Sequence, residues 1–183
     1  MTSQAWDQDT YLKTYCFAAE AHKGQLVPGT EISYLMHLSL VTMEVVAALR
    51  HEPDRNEDLA VQCALLHDVI EDTKVTYEQV RDAFGSGVAD GVLSLTKTDA
   101  IEKSARMADS LNRIRQQPRE VWMVKLADRI TNLQPPPPYW TTEKRAAYRE
   151  EAREILSSLG EASPFLAQRL QKKIDDYVSY LTN

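Results

Sequence analysis

Cysteine is nearly missing from this chain, with only Cys16 and Cys63 among 183 residues. Both fall in apolar, helix-patterned segments and their spacing matches no thiolate metal motif, so a disulfide framework is not expected and a reducing cytoplasm is. Glycine is sparse too, at six residues, within an otherwise ordinary globular composition of 43% hydrophobic and 26% charged residues. Positive charge is not in excess: the formal net charge is −6. That balance argues against a general nucleic-acid binder while leaving room for a locally basic pocket. The first residues carry Asp7 and Asp9 and lack the basic-then-apolar order of a signal peptide. No apolar run approaches membrane-spanning length. The expectation is a soluble cytoplasmic protein with neither a membrane nor a nucleic-acid partner.

What is present is helical periodicity, from end to end. Tyr11, Tyr15, Ala18, Ala19 and His22 share one helix face, and a Pro28-Gly29 step marks the loop that follows. Further helices are expected over 33–50, with Val41, Val45, Ala48 and Leu49 inward, and over 56–72. Thr76 reads as the N-cap of a short helix that stops at Phe84-Gly85. Helices over 87–96 and 101–116 come next, then one with Pro118 in its first turn. The run Pro135-Pro136-Pro137-Pro138 is read as a rigid stop between amphipathic helices rather than a polyproline ligand. Two last helices cover 141–159 and 163–181, broken at Gly160. No strand alternation, repeat or dividing linker is visible. The expectation is one all-α domain over 1–183, a bundle of about eight to ten helices.

The helix over 56–72 carries a polar stripe in an apolar setting: His67 and Asp68, then Glu71 and Asp72. At helical spacing His67 lies over Glu71 and Asp68 over Asp72. A buried charge that is neither paired nor metal-bound costs several kcal/mol, so the stripe calls for a cation. Two further candidates sit in apolar helices, His37 within Leu35–Val41 and Asp128 within Val124–Ile130. Taken singly, His37 is more often a satisfied core histidine, and Asp128 is half of a salt bridge with Arg129 or Lys125. His22 and His51 lack comparable company, and His51 reads as a solvated helix-end residue.

The order His, His-Asp, Asp, each on its own helix, resembles the ligand pattern of the HD phosphohydrolase superfamily. The resemblance implies that His37, His67, Asp68 and Asp128 bind one divalent cation; two imidazoles and two carboxylates suit manganese, iron or zinc better than calcium or magnesium. A longer match, from Ala21-His22-Lys23-Gly24-Gln25 to about Tyr148, resembles the hydrolase domain of the RelA/SpoT family and its stand-alone small alarmone hydrolases. Its most specific elements are the stretches around His67-Asp68-Val69-Ile70-Glu71-Asp72 and Asp128-Arg129-Ile130-Thr131-Asn132. Family members remove pyrophosphate from the ribose 3′ position of hyperphosphorylated nucleotides, typically with manganese.

By that resemblance, Glu71 and Asp72 position or deprotonate the attacking water, and Asn132 contacts the ribose. Tyr148 and Lys144 match an aromatic and a cationic substrate contact, against the alternatives of core packing and a solvated surface. Lys103, Arg106, Ser110 and Arg113 form one stripe that is either a solvated face or a phosphate contact, with Lys97 nearby. One departure concerns the base. After the His-x-x-Gln element the family carries an Arg-Lys pair whose arginine packs on guanine, and this chain has Val27-Pro28. Valine offers only apolar packing where a guanidinium stacks and donates. Adenosine alarmones, (p)ppApp, are therefore at least as plausible as (p)ppGpp. The rival expectations are an HD-type nucleotidase or NADPH phosphatase, which releases phosphate, and a non-catalytic nucleotide-binding protein. The partner in each case is a small nucleotide, and the chain is expected as a monomer or homodimer.

Overall fold

The computed structural model describes residues 6–97 and 100–181, apart from the side chain of Lys103. Ten α-helices follow one another among these residues. They are α1 (Gln8–Ala21), α2 (Leu35–Leu49), α3 (Glu57–Leu66), α4 (Val69–Asp72) and α5 (Tyr77–Phe84), then α6 (Ser86–Leu95), α7 (Arg106–Arg115), α8 (Arg119–Asn132), α9 (Thr142–Leu159) and α10 (Pro164–Asp176). Among the described residues the only β pairing is an isolated antiparallel bridge between Leu26 and Ser33. The all-α expectation holds.

Short polar side chains start half of these helices by taking a backbone N–H that has no partner inside the helix. Asp7 accepts from Thr10, Asn56 from Leu59, Thr141 from Lys144 and Ser163 from Leu166. Thr76 forms the expected cap as a full capping box with Gln79. Gly85, at φ 89, lets α5 end and α6 begin within one residue. Pro118 takes the N-cap position of α8, one residue ahead of the first turn expected for it.

Helix α8 runs through the middle and packs on α2, α3, α9 and α10. Val121, Met123, Val124, Leu126, Ala127 and Ile130 are fully buried along it. At about 1.5–3 kcal/mol for each large apolar side chain, this burial offsets the desolvation of Lys125 and Asp128 on the same helix. Helix α6 comes close enough to α3 and α8 that a Cβ on Gly91 would lie 2.8 Å from the Cys63 sulfur. Glu44, buried on α2, forms an ion pair with Arg169 that ties α2 to α10.

Several expected boundaries differ. The helix over 56–72 is interrupted at His67–Asp68, because the His67 ring bonds the carbonyl of Ala64 at 2.8 Å. An uninterrupted helix would give that acceptor to the N–H of Asp68. The helix over 101–116 begins at Arg106, preceded by a 3₁₀ turn, and the last one tightens into a 3₁₀ turn at Tyr177–Tyr180. There the buried Tyr177 ring meets Tyr180 edge-on. Of the two cysteines, Cys63 is buried, and burial pushes its thiol up to about 12. Cys16, although it falls in an apolar, helix-patterned segment, is exposed. His51 is exposed just past the end of α2, as expected, with its ring stacked on Phe165 at 4.6 Å.

Candidate active site

Four segments meet at one cavity of about 190 Å³. The first turn of α2 supplies His37 and the end of α3 supplies His67. Asp68, Glu71 and Asp72 come from the junction and the single turn of α4, and α8 brings Lys125, Asp128 and Asn132. Tyr34, Leu95 and Lys97 complete the lining.

His37 and His67 point their Nε2 atoms at each other across 3.1 Å. Asp128 Oδ1 is 3.5 Å from the first and 3.9 Å from the second. Donor atoms of these three residues all lie within 4.8 Å of one another, close enough to share one ion. Asp68 stands beside this group: its Oδ2 is 3.0 Å from His67 Nε2 and accepts the Tyr34 hydroxyl at 2.5 Å.

The donor chemistry fits a divalent cation. The Ala64 carbonyl engages His67 Nδ1 as a proton donor, which leaves the Nε2 lone pair for the centre of the site. Burial opposes a charged His67, yet the carboxylates of Asp68 and Asp128 outweigh it and push the imidazole up to about 9. Despite burial, His67, His37 and Tyr34 hold Asp68 well below the usual carboxylate range. Asp128 is likewise lowered against burial, chiefly by Lys125. Two carboxylates and two imidazoles at this spacing draw positive charge, as a proton or as a metal.

Glu71 and Asp72 line the same cavity but have different partners. Glu71 accepts from the Lys97 backbone N–H at 2.8 Å and from its ammonium at 3.0 Å. That carboxylate outweighs desolvation and raises Lys97 above its ordinary pKa. Asp72 Oδ2 accepts from the Gln25 side-chain amide at 3.0 Å, and Asn132 donates to Asp128 Oδ1 at 2.5 Å.

The expected substrate contacts separate. Asn132 and Lys97 line the cavity. Arg106 lines an adjoining cavity of about 220 Å³, which shares Lys97 and Lys125 with the first. Arg113 is turned away, with its guanidinium on the carbonyls of Leu93, Ser94 and Thr96 and on Asp109. Tyr148 is packed under Arg129, 4.2 Å from ring centre to guanidinium, and burial pushes its phenol up to about 12. The Lys144 ammonium sits 4.3 Å over the Trp140 ring. None of these three lines either cavity. The Lys103 side chain lies outside the described residues.

On the sequence alone Tyr34 had no role in the site, Lys125 was only an alternative salt-bridge partner of Asp128, which it is at 3.3 Å, and Gln25 stood only within the His-x-x-Gln element. Tyr34 and Lys125 sit at helical distance from His37 and Asp128, so a search for polar residues three positions before each ligand finds both. Gln25 carries no such signal, because it reaches Asp72 across 47 residues.

A family model described as HD domain matches residues 14–165 of this chain. Guanosine-3′,5′-bis(diphosphate) 3′-pyrophosphohydrolase MESH1 of Danio rerio is 30% identical over 166 residues, covering 88% of this chain and 90% of its own length. The guanosine-3′,5′-bis(diphosphate) 3′-pyrophosphohydrolase of Aquifex aeolicus is 30% identical over 154 residues, which are 80% of this chain and 20% of that protein. Among solved structures, a metazoan ortholog of SpoT that hydrolyzes ppGpp superposes with a TM-score of 0.79 at 25% identity. The match covers 94% of this chain and 98% of that one.

Proposed function

Since the chain belongs to the HD-domain family, we propose that it is a metal-dependent 3′-pyrophosphohydrolase of alarmone nucleotides, (p)ppGpp or (p)ppApp. The observation that carries this reading is the convergence of His37, His67 and Asp128 with Glu71 and Asp72 on one cavity. A purely structural metal site has no need of the two extra carboxylates.

His37, His67, Asp68 and Asp128 would hold the cation, with manganese the proposed metal for two nitrogen and two carboxylate donors. When bound, the cation lowers the pKa of a water and neutralises charge building on the phosphoryl oxygens. Tyr34 keeps Asp68 in place through its hydroxyl, which burial and the Asp68 charge keep protonated. Asn132 and Lys125 do the same for Asp128 from either side.

The water oxygen bonds to the phosphorus attached to the ribose 3′ oxygen, and the bond from that phosphorus to the 3′ oxygen breaks. Asp72 takes the proton that the water gives up. Glu71, held at both oxygens by Lys97, orients the water on its second side. The 3′ oxygen leaves with the proton that Asp72 hands back to it, and pyrophosphate departs. Lys97, Lys125 and Arg106, which line the joined cavities, supply positive charge for the phosphates. Asn132, which lines the same cavity, would contact a ribose hydroxyl.

The base is proposed to be adenine at least as readily as guanine, because Val27 and Pro28 offer no guanidinium to stack on it. The test is direct: manganese-loaded protein is incubated with ppGpp, ppApp and pppApp, and pyrophosphate is measured. No pyrophosphate from any of the three sinks the substrate class. Inorganic phosphate in its place transfers the site to a nucleotidase or NADPH phosphatase.

A further inference from the structure

His22 is a buried histidine that the chemistry above does not use, and Gln25 belongs to the same His-x-x-Gln element. Only 2% of His22 is exposed, and its Nδ1 lies 2.7 Å from Gln25 Oε1. The Gln25 amide nitrogen donates to Asp72 Oδ2 at 3.0 Å. A carboxylate can only accept, so the amide NH₂ must face Asp72 and its carbonyl must face His22. A carbonyl can only accept as well, so His22 Nδ1 carries the proton. The three groups therefore form a hydrogen-bonded chain with a single direction, from His22 through Gln25 to Asp72. His22 Nε2 is buried with no partner, as suits the nitrogen without a hydrogen.

Local structure builds this chain. His22 ends α1, and its carbonyl accepts the Gln25 N–H at 2.9 Å, a tight turn that Gly24 permits at φ 80. The His22 ring stacks on Tyr34 at 5.1 Å, and the Gln25 carbonyl accepts the Tyr34 N–H at 3.0 Å. Tyr34 in turn donates to Asp68. The loop between α1 and α2 thus grips two carboxylates one turn apart, Asp68 through Tyr34 and Asp72 through Gln25.

We propose that His22 and Gln25 are positioning residues for Asp72: they occupy Oδ2 and leave Oδ1 as the oxygen that takes the proton of the attacking water. This rests on the functional reading above, so its test needs one readout that is independent of turnover. The kinetic arm compares Gln25→Ala, Asp72→Asn and the double variant on whichever alarmone the protein hydrolyses. Gln25→Ala should lower kcat by about 10- to 100-fold, the usual cost of losing such an orienting contact, with KM and metal content unchanged. In the Asp72→Asn background the same change should cost nothing further, since Gln25 acts through Asp72. Losses that multiply in the double variant, or an unchanged kcat in Gln25→Ala, overturn the proposal. Gln25 is only half-buried, so its variants keep the test open if His22→Ala does not fold. The independent arm is the ¹⁵N spectrum of the His22 ring. A proton on Nδ1 is expected, and a proton on Nε2 alone overturns the chain whatever the substrate. An inactive wild type with the Nδ1–H ring would instead count against the functional reading.

Discussion

The Nε2 atoms of His37 and His67 face each other across 3.1 Å, although the residues are 30 positions apart and belong to different helices. His67 Nδ1 is already committed to the Ala64 carbonyl. That leaves the His67 Nε2 lone pair to share a proton or a metal ion with His37 Nε2, and Asp68 and Asp128 add negative charge around the pair.

The first prediction concerns that cation. Chelator-treated protein should lose pyrophosphate release, and manganese should restore it. Adding metal at about 100 times its Kd should stabilise the fold by about 2.7 kcal/mol, seen as a rise in melting temperature. His67→Ala should abolish the rise. A melting curve indifferent to manganese in the wild type would contradict the site.

Glu71 and Asp72 are expected to act on water rather than on metal. Asp72→Asn should lower kcat by about 10²- to 10⁴-fold, the range for losing a general base, and Glu71→Gln should lower kcat through loss of the water's orientation. Metal content, measured by elemental analysis, should stay at the wild-type level. If metal leaves together with activity, these carboxylates belong to the ligand set.

Base preference should respond to the hairpin loop. Val27→Arg introduces a guanidinium able to stack on a purine and donate to its edge. The ratio of kcat/KM for ppGpp over ppApp should rise by about 5- to 30-fold, corresponding to about 1–2 kcal/mol of stacking. A ratio that stays constant would show that position 27 does not face the base.

Packing gives a prediction free of catalysis. A Cβ at Gly91 would stand 2.8 Å from Cys63 Sγ and 3.0 Å from Val121 Cγ2. Gly91→Ala should cost about 1–3 kcal/mol in denaturant unfolding, the usual penalty of overpacking. Combining it with Cys63→Ala should return part of that loss, because the sulfur is the nearer obstacle.

The cluster of His37, His67 and Asp128 was legible in the sequence through the order of polar groups set in apolar helical runs, where burial without a partner is costly. Taken singly, His37 and Asp128 read as a core histidine and a salt-bridge partner. The break between α3 and α4 was not legible: it depends on one imidazole taking a carbonyl that the helix itself would use. Arg113 showed the opposite limit. Its place on a charged stripe suited a phosphate contact, but the end of α6 offered three carbonyls within reach. Tyr148 and Lys144 followed the same rule, satisfied by Arg129 and Trp140.

Periodicity and caps by themselves determined an all-α chain, since 3.6-residue spacing and Ser, Thr, Asp or Asn at helix starts act through neighbours in sequence. The order His, His-Asp, Asp among those apolar runs carried the resemblance that pointed to the class of chemistry. Only the tertiary structure decided how the carboxylates are held. Tyr34 meets Asp68 across 34 residues, Lys97 meets Glu71 across 26, and Gln25 meets Asp72 across 47. Such contacts form between segments that the core brings together, and the direction of a hydrogen bond is set by the partner that arrives.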